Sequence, residues 1–375
     1  MGKVLFVSHT TDFIKFNLPF IQWFKTQGWE VAYASMEERE FPENVVDKHY
    51  KVPFDRSPLR PSNLIAYREL KRIIDHGNYD LIHCHTPVGG VVARLASKAA
   101  RKGKNTKVIY TGHGFHFYKG APIQNWIIFY PIEKLMSRLS DAVVTINEED
   151  YQLAERQFHC PSYHLRGVGV NLGRFHPVDA NEKQTLREQY GYADQDFILI
   201  YAAELNKNKN QEFLMKQMPQ VLRMIPSAKL LLAGYGEEKE HLENLIKELH
   251  LEHAVHLLGY RNDIEKLYQM SDLGISASVR EGLGMNILEE MACGLPIIAS
   301  MNRGHRELIT NGENGFLYDF ETENVFLDGV KKIYTNISER EKMSQNNIEK
   351  AKKYSVESSL KQMIEIYEEV LSGGR

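Results

Sequence analysis

Only three cysteines occur in 375 residues, Cys84, Cys160 and Cys293, and no two have Cys-x-x-Cys spacing. That argues against a disulfide framework and a structural zinc site, and it points to a reducing compartment. Long apolar runs are missing too. The first one, Val4-Leu5-Phe6-Val7 behind Lys3, is far shorter than a signal-peptide core or the ~20 apolar residues that span a bilayer. A cytoplasmic chain is therefore expected. Residue 6 is Phe, where a myristoylation pattern needs Ser or Thr. Neither charge sign dominates, since the net charge is -3, and no short-period repeat or low-complexity tract appears. What remains is an ordinary globular balance, 43% hydrophobic and 25% charged, at a length that predicts two domains with a cleft between them.

The small net charge conceals an asymmetry. Residues 1–177 hold 23 Lys+Arg against 17 Asp+Glu, and residues 178–375 hold 23 against 32, giving +6 and -9. A basic first half points to an anionic partner, which could be phosphates, an acidic membrane surface or nucleic acid.

Short β-branched and aliphatic runs alternate with longer amphipathic stretches, the βαβα pattern of a parallel sheet covered by helices. The pattern occurs twice. Strands are expected near 3–8, 30–34, 81–84, 107–111 and 142–146, then near 197–202, 229–233, 255–257, 273–276 and 296–300. Between the sets, the Gly-rich stretch 167–177 ends in Pro177 and reads as a hinge. The fold class is thus α/β, with two Rossmann-like parallel-sheet domains. The expected boundaries are 1–177, 178–355 and a last helical segment, 356–375.

Open parallel sheets bind ligands outside the carboxyl ends of their strands, where the strand order reverses. In the first half three such ends carry histidine: His9, His85 and His113. Each could simply cap a strand, and a metal site is a further alternative, although no His-x-Glu or His-x3-His pair accompanies them. His83 shares a strand face with His85, leaving Cys84 for the core. The second half has its densest segment at 278–296. There a strand end, a loop with Gly282 and Gly284, and a helix from about Gly284 to Cys293 follow in order, stopped by Gly294 and Pro296. The N–H groups of Gly284, Met285, Asn286 and Ile287 would face a diphosphate with the positive end of the helix dipole. Glu281 and Glu289 cannot bind phosphate but suit sugar hydroxyls, one on a hexose and one on a ribose. The plainer alternative is a solvated helix start that favours acids.

The setting Arg-Glu-Gly-Leu-Gly-x4-Glu-Glu-Met-Ala-x-Gly-x-Pro around Glu281-x7-Glu289 resembles retaining glycosyltransferases of the GT-B fold, glycosyltransferase family 4. The likeness is to the capsular and exopolysaccharide type and covers nearly the whole chain. It runs through Phe16-Asn17-Leu18-Pro19, His83-x-His85-Thr86-Pro87, Thr111-x-His113-Gly114-Phe115-His116-Phe117, Glu204-Leu205-Asn206-x-x-Lys209-Asn210, Gly259-Tyr260-Arg261-x-Asp263 and Arg303-Gly304-x-Arg306-Glu307-Leu308.

The resemblance implies two lobes facing across a cleft, and roles for individual residues. Lys209 would bind the donor diphosphate, Glu289 the ribose, Glu281 the donor hexose, and Arg261 would line the nucleoside. Glu204 stands where the family usually has a second cation, a role Arg280 or Arg261 could take; for Arg261 a salt bridge with Asp263 is the alternative. His113 would face the transferred sugar, and its glycine neighbours Gly112 and Gly114 favour close approach of a ligand. His116 is the fallback. Phe16 and Asn17, expected in the loop after the first strand, and the histidines 9 and 85 are acceptor-side candidates. Glu290 is expected to be exposed. The last segment would return to the first lobe.

With a helix N-terminus and Lys209 to stabilise the leaving diphosphate, no metal and no cofactor beyond the nucleotide-sugar substrate is expected. A lipid-linked glycan acceptor would account for the basic first half. Arg94, Lys98, Arg101 and Lys102 at near-helical spacing, and Trp126-Ile127-Ile128-Phe129-Tyr130 near Lys134 and Arg138, point to an anionic membrane surface. The alternatives are a solvated helix face and a core segment. Nucleic-acid binding has only the basic helix behind it, and the net charge opposes it. A non-hydrolysing nucleotide-sugar 2-epimerase and a non-catalytic nucleotide-sugar binder are the competing functions. A nicotinamide dehydrogenase would need Gly at position 239, where Lys stands after Gly234-Tyr235-Gly236.

Overall fold

A computed structural model describes residues 1–36, 44–58 and 60–373; the last two residues, 374 and 375, within the expected terminal segment, lie outside the described residues. The aliphatic runs form two parallel sheets, one in each of two units, Met1–Val168 with Glu357–Arg375, and Gly169–Val356. All ten expected strands are present. Three short ones, Lys48–Lys51, Ser162–His164 and Gly315–Tyr318, were not anticipated, because each has only three or four residues and carries no alternation long enough to read.

The first unit holds β1 (Lys3–Thr10), β2 (Glu30–Met36), β3 (Lys48–Lys51), β4 (Leu81–His85), β5 (Lys107–Gly112), β6 (Ala142–Thr145) and β7 (Ser162–His164), in the order β3-β2-β1-β4-β5-β6-β7. The order reverses between β1 and β4. Because successive side chains alternate across a strand, β1 sends Val4 and Phe6 to one face and Leu5 and Val7 to the other, so both faces are covered by apolar groups. Cys84 is buried on the second of these faces. On the first, the helices Ile14–Thr26 and Val356–Ser372 pack through Phe20, Ile21 and Phe24, and through Met363, Ile366, Tyr367 and Val370. The terminal helix is thus part of the core of the first unit.

The second unit holds β8 (Phe197–Ala202), β9 (Ala228–Ala233), β10 (Val255–Gly259), β11 (Leu273–Ser276), β12 (Ile297–Ser300) and β13 (Gly315–Tyr318), in the order β10-β9-β8-β11-β12-β13. Here the reversal lies between β8 and β11. The helix Gln211–Met224 places Leu214, Met215, Met218 and Val221 on the sheet at helical spacing. In each unit the strand ends beside the reversal therefore mark where a ligand is expected.

Candidate active site

The loops that follow β8 and β11, the two strands flanking the reversal of the second sheet, are bonded to one another. Val279 N–H donates to the Asn208 carbonyl (2.8 Å), and Asn208 Nδ2 donates to the Arg280 carbonyl (3.0 Å). Between β8 and the helix Gln211–Met224, Lys209 N–H donates to Asn206 Oδ1 (3.0 Å), closing a tight turn that fixes Lys209. Its ammonium pairs with the Glu281 carboxylate across 72 residues of sequence. The two residues assigned opposite tasks are thus brought into contact. Burial pushes the Glu281 carboxyl up, but the Lys209 charge, His305 and hydrogen bonds from Lys209 and Ser278 outweigh it, leaving it below the ordinary glutamate value.

From Glu281 the chain turns through Gly284, whose φ of +101° is a left-handed conformation that L side chains rarely adopt. The helix Met285–Ala292 then starts with no side-chain cap. The amides of Met285, Asn286 and Ile287 have no carbonyl one turn back to bond, so this helix start presents donors to an anion. Glu289 lies a turn further on and accepts from the buried Tyr268 hydroxyl (3.4 Å).

Beneath these loops lies a layer of polar groups to which the sequence reading gave no role. Tyr201 O–H donates to the Lys209 carbonyl (3.2 Å) and lies 2.6 Å from Ser278 Oγ. Ser300 Oγ and Asn302 Nδ2 both donate to the Ser278 carbonyl (2.6 and 2.9 Å). His305, lowered to about 4 chiefly by burial, donates through Nδ1 to the Ser300 carbonyl (2.7 Å). A Cβ on Gly304 would come within 2.9 Å of Glu281 Cβ, so only glycine lets this segment approach so closely. The motif Arg303-Gly304-x-Arg306 was visible in the sequence, but its packing under Glu281 was not.

Arg261 bonds Asp263 in bidentate fashion (2.8 and 2.6 Å), which is the salt-bridge alternative for this residue. Arg280 makes no ion pair among the described residues, and Glu204 is exposed. Glu290 corrects an expectation. It is fully buried, both carboxylate oxygens lack a hydrogen-bond partner, and it packs where a Cβ on Gly274 would come within 2.4 Å of its Oε2. One residue along a helix is a rotation of about 100°, enough to move a side chain from the site to the sheet. Burial, reinforced by Glu289, pushes its carboxyl well above 4.5. A folded-state value above the unfolded one costs stability above the unfolded value, and the cost disappears on acidification below it. Glu290→Met is therefore expected to gain about 1 kcal/mol or more at pH 7 and less near pH 4, where only the cost of burying the neutral carboxyl remains, in calorimetric melts at the two pH values.

In the first unit, β1, β4 and β5 are neighbours, and His9, His85 and His113 lie at or just past their carboxyl ends. His85 Nδ1 is 3.2 Å from His113 Nε2, while His83 bonds Tyr367 and Thr111. Burial lowers His113 to about 3 and His85 well below 6.5, so both are neutral at physiological pH. Gly112 makes room for Phe115 rather than for a ligand, since a Cβ there would sit 2.8 Å from that ring. Phe16 and Asn17 are helical, not in a loop. Phe16 lies near His113, but Asn17 is fully buried and donates to the Tyr33 hydroxyl (3.3 Å), so it belongs to the core. His116 lies against Phe129, ring centroids 4.8 Å apart and tilted, and its carbonyl accepts from Asn125 Nδ2 (2.9 Å). Asp194-Gln195-Asp196, which has Asp-x-Asp spacing, forms the turn before β8, where Asp196 accepts from Ala193 N–H. No group of three or more His, Cys, Asp or Glu among the described residues could hold a metal ion.

Two doubly wound units, with a cation, an acid and an open helix start at the reversal of the second, define a nucleotide-sugar transferase of the GT-B fold. Residues 182–350 match the model of glycosyl transferases group 1, and residues 3–147 that of glycosyl transferase 4-like proteins. The putative glycosyltransferase EpsD of Bacillus subtilis (strain 168) is 44% identical over 97% of this chain and 96% of its own. The Escherichia coli UDP-Gal:alpha-D-GlcNAc-diphosphoundecaprenol alpha-1,3-galactosyltransferase is 25% identical over 70% of this chain and 68% of its own. The fold is that of Anabaena Alr3699/HepE in complex with UDP and glucose, with a TM-score of 0.79 at 20% identity, covering 98% of this chain and 100% of that one. The chain belongs to the group 1 glycosyltransferases, glycosyltransferase family 4.

Proposed function

We propose that the protein is a retaining, metal-independent transferase that moves a hexose or N-acetylhexosamine from a UDP-sugar to a lipid-linked glycan in the synthesis of capsule or exopolysaccharide. The observation that carries this reading is the Lys209–Glu281 pair held beside the open start of the helix Met285–Ala292. Lys209 and the amides of Gly284, Met285, Asn286 and Ile287 bind the diphosphate and stabilise its charge as it leaves. Glu289 takes the ribose hydroxyls, Glu281 the hexose, and His113 a hydroxyl of the transferred sugar. No side chain is assigned as a covalent nucleophile. Within an ion pair the bond from the anomeric carbon to the diphosphate oxygen breaks, the acceptor hydroxyl oxygen bonds that carbon on the same face, and its proton passes to the departing diphosphate oxygen. Arg280 supplies the second cation in preference to Arg261, whose guanidinium is held by Asp263.

A UDP-sugar donor and a lipid-linked acceptor are supported by the substrates named for the Escherichia coli relative and by the basic excess of the first half. Calorimetric titration with a panel of UDP-sugars and GDP-mannose tests the donor. Tight binding and slow hydrolysis of one UDP-sugar are expected, and binding of none would remove the reading. Product from donor alone would indicate the epimerase instead, and binding without transfer or hydrolysis the non-catalytic binder.

No helix among the described residues is long and apolar enough to cross a membrane. The protein acts from the cytoplasm at the inner face of an anionic membrane, through one helix of the first unit. On Ile123–Met136 the side chains of Ile123, Ile127, Ile128, Ile132 and Leu135 are exposed, 67% for Ile127, while Trp126, Phe129 and Tyr130 turn inward. An exposed apolar stripe of this length marks a binding surface. The flanking cations are fewer than expected. Arg94 is fully buried, donating to Glu133 and lying over Tyr110, and Arg101 is paired with Asp141, which leaves Lys98 and Lys102 exposed. Sedimentation with anionic vesicles is expected to bring the protein down in a salt-sensitive manner and to fail with Ile127→Asp. Binding that ignores both salt and lipid charge would defeat the membrane reading.

A further inference from the structure

We propose that His85 is a positioning residue for His113, holding it in the neutral tautomer that keeps its hydrogen on Nδ1, so that His113 meets its ligand as a hydrogen-bond donor and not as a base. This rests on the reading that His113 touches the transferred sugar, but the tautomer itself can be measured without any substrate.

The argument is one of proton placement. His85 Nδ1 and His113 Nε2 lie 3.2 Å apart, so one of two neutral rings donates to the other. If His113 donated from Nε2, His85 would have to accept at Nδ1 and carry its own hydrogen on Nε2. That atom is buried and has no partner, and His85 is 1% exposed. A buried N–H with no acceptor is among the rarest features of folded proteins, and an unused acceptor lone pair is tolerated more readily. The hydrogen therefore sits on His85 Nδ1. His113 Nε2 accepts it, and the hydrogen of His113 is left on Nδ1.

The packing keeps the two rings in this relation. His85 lies 4.2 Å, centroid to centroid, from His83, parallel to Phe6 and tilted against Phe13. His83 is held on both ring nitrogens, by the Tyr367 hydroxyl (2.7 Å) and Thr111 Oγ1 (2.8 Å). Phe13 meets His113 edge-on at 4.6 Å. With Nε2 occupied and Nδ1 protonated, His113 offers one N–H to an oxygen lone pair, as on a sugar hydroxyl. It has no lone pair left with which to take the proton of an attacking hydroxyl group.

Nitrogen-15 NMR of protein with labelled histidine, His113 being assigned by the loss of its signals in His113→Gln, reads the tautomer from the nitrogen shifts and ring couplings. His113 is expected in the Nδ1–H form. In His85→Leu, which cannot donate, it should become a mixture of tautomers, and kcat should fall about tenfold with the donor KM unchanged. His85→Asn, whose amide N–H can stand where Nδ1 stood, should restore both the tautomer and most of the rate. An Nε2–H His113 in the wild type, or a tautomer unaltered in His85→Leu, would overturn the proposal. If the leucine variant does not fold, the wild-type spectrum decides alone. If no transfer is found with any donor, the function falls while the tautomer assignment stands or falls on the spectrum.

Discussion

Alanine at position 209 is expected to weaken UDP binding about 100-fold, the cost of removing one partner from a charge-assisted contact with phosphate. Calorimetric titration checks this, and an affinity equal to that of the wild type would refute the diphosphate role of Lys209. The same substitution has a consequence for stability, because Lys209 also neutralises Glu281. In the wild type the Glu281 carboxyl is held below 4.5, so its contribution to stability is present above the unfolded value and is lost as pH falls through the folded one. Without the lysine, burial dominates and the carboxyl rises. Its contribution then reverses, costing stability at neutral pH and recovering on acidification. The gap in Tm between wild type and Lys209→Ala should therefore narrow between pH 7 and pH 4. A gap constant across that range would show that the ion pair does not set the titration of Glu281.

Ending the chain at Ser355 is expected to unfold the first unit. Met363, Ile366, Tyr367 and Val370 are buried in its core beside Phe20 and Phe24. At roughly 1.5–3 kcal/mol for each buried side chain, their removal costs about 6–12 kcal/mol, comparable with the whole stability of a domain. His83 would also lose the Tyr367 hydroxyl that holds its Nδ1. Limited proteolysis should cut freely within residues 1–168 of the truncated chain while residues 169–355 resist. A truncated protein that is protease-resistant and active would contradict this.

The strand ends carrying Lys209, Glu281, His85 and His113 were legible in the sequence because their signals are local: an aliphatic run, a glycine loop, a helix start. Legibility failed where a side chain's environment came from a distant segment. Arg94 read as one of a row of surface cations, yet it is fully buried against Glu133 and Tyr110. Glu290 read as the exposed neighbour of Glu289, yet the missing side chain of Gly274 gives it space in the core. Asn17 read as a loop residue, yet a helix begins at Ile14 and turns it toward Tyr33. The layer of Tyr201, Ser278, Ser300 and His305 beneath the site had no signal at all, since single hydroxyls and imidazoles on separate strands form no pattern along the chain.

By itself, the sequence determined the two-sheet α/β architecture, the family, and that Lys209, Glu281 and the helix start at Met285 follow strand ends of the second sheet. These follow from the period of the hydrophobic pattern and from the residue types at strand ends, which act over a few residues. Only the tertiary structure decided that Lys209 is paired with Glu281, that Glu290 is a buried acid and that Arg94 is a core cation. It also decided that the terminal helix completes the core of the first unit and that His85 and His113 share one hydrogen bond. Each of these joins groups 28 to 284 residues apart, or depends on space left by a distant residue. Burial and partner geometry are properties of packing, and no local pattern encodes them.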